Sequence, residues 1–278
     1  MDCTGRYMYL DGVIMPAEGS DDLPPGEVSF YEVIRTRNGI PVFFTDHMKR
    51  LRDGISTRYD LVSDIDAEVR AGLNALVSRE KHDEINVRVT VSFTGSDYSL
   101  QICYIPSFYP SDRIVAEGVH LILYRAERID PGVKMLNMRL RQSVNGELER
   151  RKAYEALLVN RDGYITEGSR SNVFFVTDGG TIHTAPDNLV LSGVTRRHVT
   201  EIIRQEGIPL MFKAVRENET GMFRSVFITG TSPMVLAVKS IEGRQYDAAD
   251  PIIRTLREVY ARMADTSIRD YYLDDKAD

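Results

Sequence analysis

Two pairs of strand-length runs, each closed by a glycine-containing turn, constrain this chain more than any other feature of its sequence. Residues 86–93 alternate apolar and polar, then Gly95-Ser96 leads to a second apolar run at 100–105. Residues 173–177 and 181–184 flank Asp178-Gly179-Gly180 in the same way. A side-chain period of two buries one face of each run, and a turn this short joins only antiparallel neighbours. Further strand-length runs at 119–125, 155–160, 225–228 and 235–238 outnumber the helices between them. The pattern predicts an α+β fold over a doubly wound parallel sheet.

Helical spacing is confined to a few segments. Met48, Leu51 and Ile55 recur behind Thr45, which reads as an N-cap with Asp46 near the positive end of the helix. Ile65, Val69, Leu73 and Leu76 form one stripe across residues 64–81. Helices are also predicted over 140–153, over 194–206 with a stop at Gly207, and over 250–264. Pro106, Pro110 and Ser111 separate two apolar runs. The chain is therefore divided into a small N-terminal domain at 1–112 and a larger C-terminal domain at 113–278.

Charge and composition remove several classes of function. A net charge of -6 and a pI near 5.5 oppose a general grip on nucleic acid or anionic lipid. No apolar run reaches the roughly 18 residues of a membrane span, and residues 1–22 lack a basic stretch followed by an apolar one. With only Cys3 and Cys103 there is neither a disulfide framework nor a cysteine zinc site. The expected setting is the cytoplasm. His47, His82, His120, His183 and His198 are scattered without ligand spacing, so no metal centre is expected. Ser169, although near a glycine, is not in a G-x-S-x-G elbow, and no phosphate loop of the Walker or dinucleotide type occurs.

Lysine usage carries more information. The chain has 28 arginines and seven lysines. An amine that must lose its proton and attack a carbonyl cannot be replaced by a guanidinium. Lys134 lies in Pro131-Gly132-Val133-Lys134-Met135-Leu136-Asn137, where apolar flanks would favour the neutral amine by desolvation.

Three phrases then act together: Val133-Lys134-Met135-Leu136-Asn137, the run from Gly163 to Phe174 with Thr166-Glu167-Gly168-Ser169-Arg170-Ser171-Asn172 inside it, and Leu191-Ser192-Gly193-Val194-Thr195-Arg196. In this order they resemble the signatures of class IV aminotransferases, pyridoxal 5'-phosphate (PLP) enzymes of fold type IV. Phe30-Tyr31-Glu32-Val33-Ile34-Arg35, His47-Met48-Lys49-Arg50-Leu51 and Thr229-Gly230-Thr231-Ser232 fall in the same order, extending the resemblance over about residues 6 to 245. The resemblance implies that Lys134 binds PLP covalently and shuttles the proton, and that Glu167 faces the pyridine nitrogen. It further places Arg50 on the phosphate with the backbone of Val194 and Thr195, adds the hydroxyl of Thr231, and packs Leu191 on the ring. A helix start favours an anion whatever the family. A scaffold without chemistry would have no use for Lys134, Glu167 and Arg50 together.

The same resemblance bears on substrate. Branched-chain enzymes carry a Gly-Gly-Asn-Tyr run after the lysine, whereas Met135-Leu136-Asn137-Met138-Arg139 is similar to the D-amino-acid and lyase branches. Tyr31-Glu32 and Glu167-Gly168-Ser169 lean towards D-amino-acid transaminases, with Tyr31 placed at the substrate. The implied reaction exchanges an amino group between a D-amino acid and a 2-oxo acid in a homodimer. Branched-chain L-amino-acid transamination is the first alternative and aminodeoxychorismate lyase the second. The Arg-x-His pair that grips the α-carboxylate in known D-amino-acid transaminases is replaced here by Val91-Ser92-Phe93-Thr94-Gly95-Ser96. A carboxylate entering a partly buried site still calls for a guanidinium. Arg88 is the first candidate, then Arg170 and Arg139, with Lys239 more remote.

Overall fold

The computed structural model describes residues 3–18, 27–60, 64–128 and 130–274. It divides into two compact units, one of Met1–Phe108, Val133–Leu136 and Ala264–Asp278, the other of Tyr109–Gly132 and Asn137–Met263. The segment carrying Lys134 thus belongs to the first unit.

The first unit is built on an antiparallel sheet that comprises, among the described residues, β1 (Tyr7–Leu10), β2 (Val13–Pro16), β3 (Val28–Arg37), β4 (Ile40–Pro41), β5 (Glu84–Thr94) and β6 (Asp97–Ile105). Their order is β2-β1-β6-β5-β3-β4. The expected hairpin around Gly95 is the β5–β6 pair, in register from Thr94 and Asp97 to Asn86 and Ile105. Helices α1 (Phe44–Ile55) and α2 (Ile65–Arg79) supply Met48, Leu51, Ile55, Val69 and Leu73 to a core with Phe30, Ile34, Val87, Val89 and Val91. Asp64 caps α2, accepting from the backbone N–H groups of Asp66 and Ala67.

Thr45 does not cap α1. The cap position is Phe43, in the left-handed region at φ 53°, whose own side chain makes no capping hydrogen bond. Phe44 explains the earlier start: its ring is buried edge-on to Tyr271 with centroids 5.5 Å apart, beneath the Arg70 guanidinium. Core packing of one aromatic outweighs a single capping hydrogen bond.

The second unit holds α3 (Asp112–Glu117), β7 (Val119–Arg125), α4 (Met138–Arg151), β8 (Glu155–Val159), β9 (Tyr164–Gly168), β10 (Asn172–Val176), β11 (Ile182–Thr184), α5 (Val194–Gln205), β12 (Leu210–Phe212), β13 (Val215–Arg216), β14 (Ser225–Gly230), β15 (Met234–Ile241) and β16 (Arg244–Gln245). Its sheet runs β12-β11-β10-β14-β15-β7-β8-β9-β13, with β16 on β15. Antiparallel pairs dominate, and the parallel pairs are β11–β12, β15–β7 and β7–β8. The α+β class holds. Gly180 closes the β10–β11 hairpin at φ 81°, a conformation that a side chain would strain. Strands β8 and β10 are buried along their whole lengths, as strands covered on both faces are.

The last helix, α6 (Pro251–Asp274), runs ten residues past the expected end at 264. Asp250 starts it by accepting from the backbone N–H of Ile252, with Pro251 in the first turn. Its extension carries Ala264 and Tyr271 into buried positions of the first unit, so packing continues the helix where the apolar stripe thins. No helix among the described residues is long and apolar enough to cross a membrane.

Candidate active site

In the first unit the lysine segment lies along β3 as a short added strand. The Tyr31 N–H donates to the Lys134 carbonyl at 3.1 Å, and the Leu136 N–H to the Ser29 carbonyl at 3.1 Å. Phe30 pairs with Met135. Val133 and Met135 pack on the core, so the alternation turns Lys134 to the other face, where Nζ lies 4.6 Å from the Tyr31 ring centroid. The aromatic face attracts an ammonium and fixes the direction of the side chain.

The sheet register brings Arg88 to that same face. Val33 is opposite Arg88 and Tyr31 opposite Thr90 on β5, making Arg88 a diagonal neighbour of Tyr31. Arg88 is buried, with Nη2 3.4 Å from Cys103 Sγ and 3.9 Å from Cys3 Sγ. A hydrogen bond with Cys3, together with burial, pushes the Cys103 thiol up against the pull of Arg88, so the guanidinium meets a neutral thiol. The Thr90 hydroxyl is buried there without a hydrogen-bond partner.

Arg50 is organised from beneath. Glu32, on the core side of β3 and wholly buried, receives Arg50 Nε at 2.7 Å and Nη2 at 2.6 Å, and lies 2.8 Å from His47 Nδ1. His47 and Arg50 are three residues apart on α1, hence on one face. Burial would raise the Glu32 carboxyl, but the Arg50 charge and the hydrogen bonds from His47 and Arg50 outweigh it and hold the group at about 2. Burial lowers His47 despite its contact with Glu32. Arg50 is raised, because Glu32 more than offsets its desolvation. The cluster is therefore a carboxylate, a guanidinium and a neutral imidazole.

The second unit assembles a different set. Glu167, at the end of β9 and buried, accepts from the Leu191 N–H at 3.1 Å, and Arg128 Nε lies 2.7 Å from its other oxygen. Asn172 Nδ2 donates to the Leu191 carbonyl at 2.9 Å and reaches the Glu167 carboxylate at 3.4 Å. A Cβ on Gly193 would stand 2.3 Å from Asn172 Oδ1, so this approach requires glycine. Gly193 has no side chain with which to cap α5, which begins at Val194 and Thr195. The Thr195 hydroxyl bonds Tyr260 Oη at 3.0 Å. Thr229, opposite Asn172 across β10 and β14, has a buried hydroxyl without a hydrogen-bond partner, and Thr231 directly follows β14.

Arg170 is exposed. Its backbone N–H donates to Glu155, and its Nη2 donates to the Tyr154 carbonyl at 3.2 Å. Glu155 also accepts from the hydroxyls of Ser169 and Ser171 at 2.6 and 3.0 Å, folding the turn after Glu167. Arg139 and Lys239 are exposed.

Lys134, Tyr31, Arg50 and Arg88 thus belong to the first unit, and Glu167, Leu191, Val194, Thr195, Thr231 and Arg170 to the second. Taken separately, each unit's groups have chemistry that PLP calls for: in the first an amine for the aldehyde and a guanidinium for the phosphate, in the second a helix start for the phosphate and a buried carboxylate for a pyridine nitrogen. The unpartnered hydroxyl of Thr229 agrees with a polar occupant. Sequence reasoning assigned no role to Glu32, His47, Asn172, Glu155 or Arg128. Glu32 carried a signal, since Phe30, Glu32 and Ile34 share a strand face; Arg128 carried none.

A family model described as amino-transferase class IV matches residues 29–241. The D-alanine aminotransferase of Bacillus licheniformis is 30% identical over 234 residues, covering 80% of this chain and 81% of that protein. A branched-chain-amino-acid aminotransferase of Pseudomonas aeruginosa is 30% identical over 110 residues, 39% of this chain and 36% of its own length. Among solved structures, the branched-chain aminotransferase of Thermoproteus uzoniensis, crystallised with norvaline, superposes with a TM-score of 0.79 at 22% identity, covering 95% of this chain and 96% of that one. A T.th. branched-chain amino acid aminotransferase with pyridoxamine 5'-phosphate gives 0.78 at 21% identity, covering 95% of each chain.

Proposed function

The chain belongs to the class IV aminotransferases, enzymes of fold type IV that use PLP, and from this footing we propose that it exchanges an amino group between a D-amino acid and a 2-oxo acid as a homodimer. The observation that supports the D-selective reading is the extent of sequence likeness at 30% identity, which runs through 80% of the chain for a D-alanine aminotransferase and 39% for the Pseudomonas branched-chain enzyme, while the superpositions at 21–22% identity bear on the fold alone. The run after Lys134, Met135-Leu136-Asn137, supports the same branch.

When bound, PLP supplies the electron sink that lets an amino group leave one carbon and join another. Lys134 Nζ carries the cofactor and moves the proton at the substrate α-carbon, directed by the Tyr31 ring beside it. Arg50, gripped by Glu32, binds the phosphate with the backbone N–H groups of Val194 and Thr195, and Thr231 adds a hydroxyl. Glu167 holds a proton at the pyridine nitrogen, while its hydrogen bond fixes Leu191 against the ring. Arg88, on the Tyr31 face of the sheet, takes the α-carboxylate. Arg170 is the second candidate for that role.

Offering D-alanine and L-leucine separately to the holoenzyme tests the reading: only the D-amino acid is expected to donate its amino group. Arg88→Ala is expected to raise KM for amino and 2-oxo acids about 10- to 100-fold, the loss of one charged hydrogen-bond pair, with PLP still bound. Half-reaction kinetics check this, and an unchanged KM removes Arg88 from the site.

A further inference from the structure

The carboxylate assigned to the pyridine nitrogen is itself paired with a cation. Arg128 Nε lies 2.7 Å from Glu167 Oε1, in side chains 17% and 3% exposed. Arg128 Nη2 donates to the Ser169 carbonyl at 2.8 Å and so holds the guanidinium at the strand end, while its contact with Glu167 is an ion pair without hydrogen-bond geometry at Nε. Glu167 Oε2 receives the Leu191 N–H, a neutral donor. The other charged side chains of this turn are directed elsewhere: Glu155 accepts from the Ala156 and Arg170 N–H groups and from Ser169 and Ser171, and the Arg170 guanidinium donates to the Tyr154 carbonyl. Arg128 belongs to none of the phrases that carry the family resemblance.

A carboxylate that already offsets a neighbouring cation holds a second proton donor less strongly than an unpaired one. We infer that Arg128 sets how firmly Glu167 retains the proton at the pyridine nitrogen of bound PLP, and thereby tunes the ring as an electron sink. The inference rests on the proposed placement of Glu167 at that nitrogen. Arg128 acts through Glu167 and is a positioning residue. A weaker hold on the ring proton moderates electron withdrawal and makes the ring nitrogen responsive to pH.

The experiment is 15N NMR of holoenzyme loaded with PLP labelled at the ring nitrogen, recorded across pH for wild type, Arg128→Met, Arg128→Lys and Glu167→Gln. Arg128→Met is expected to keep the ring proton to a pH about one unit or more higher than wild type, the usual effect of one close opposite charge. Arg128→Lys, which keeps the charge, is expected to return the resonance towards its wild-type position. Should the methionine variant fail to fold, Arg128→Gln removes the charge while keeping a donor, and the same displacement is required of it. Identical 15N positions in wild type and the neutral variants at every pH overturn the inference. A Glu167→Gln resonance identical to wild type overturns instead the placement of Glu167 at the ring, so the two failures are distinguishable.

Discussion

Lys134→Ala is expected to lower amino transfer at least about 10³-fold, because the proposed assignment gives one side chain both the cofactor to carry and the proton to move. The loss should come without unfolding. Val133 and Met135 make the core contacts of this segment, and its pairing with β3 uses backbone groups that alanine retains. Lys134→Arg should be equally inactive, although it keeps the charge beside Tyr31, since a guanidinium does not deprotonate. Borohydride reduction followed by mass spectrometry checks the assignment: wild type should gain a reduced PLP adduct at Lys134, and the variants none. An undiminished adduct at another lysine in the alanine variant would remove Lys134 from its role.

The second large effect concerns Glu32. Glu32→Ala leaves Arg50 and His47 in a buried site without their carboxylate, at an expected cost of about 3–5 kcal/mol of stability. The wild-type pair also makes stability depend on pH. The Glu32 carboxyl is held at about 2, below its ordinary value of 4.5, so the folded state binds this proton less readily than the unfolded chain. Its contribution, about 3 kcal/mol, is complete above the unfolded value and is lost as pH falls towards 2. His47 acts in the same direction. Its folded value lies below 6.5, so acidification first protonates the unfolded chain and draws the equilibrium towards it. Urea unfolding at a series of pH values should show stability falling steeply below about pH 5 in wild type and more gently in Glu32→Gln. Equal slopes would show that Glu32 is not held ionised by its neighbours.

Much of this architecture was legible because local pattern and tertiary packing agree. The 119–125 strand, the β5–β6 hairpin and the glycine turn at 178–180 are read directly from alternation and turn chemistry. Where they compete, sequence reasoning misses: Thr45 has the chemistry of a cap, but burial of Phe44 decides the helix start. The end of α6 was missed because Tyr271 finds its partners in residues two hundred positions earlier. The residues of the site divide in the same way. Lys134, Arg50 and Glu167 sit in phrases whose order is informative. Their supports are defined mainly by partners distant in sequence: Glu32 shows locally as a carboxylate on the apolar face of β3, whereas no local spacing announces His47, Asn172 or Arg128.

D-selective transamination is tested most directly by the visible spectrum of PLP-loaded protein during separate additions of D-alanine, D-glutamate and L-leucine, with no 2-oxo acid present. The D-amino acids are expected to bleach the absorption of lysine-bound PLP, with one 2-oxo acid released per site, while L-leucine leaves the band intact. Bleaching by L-leucine alone would contradict D-selectivity and place the chain with the branched-chain enzymes.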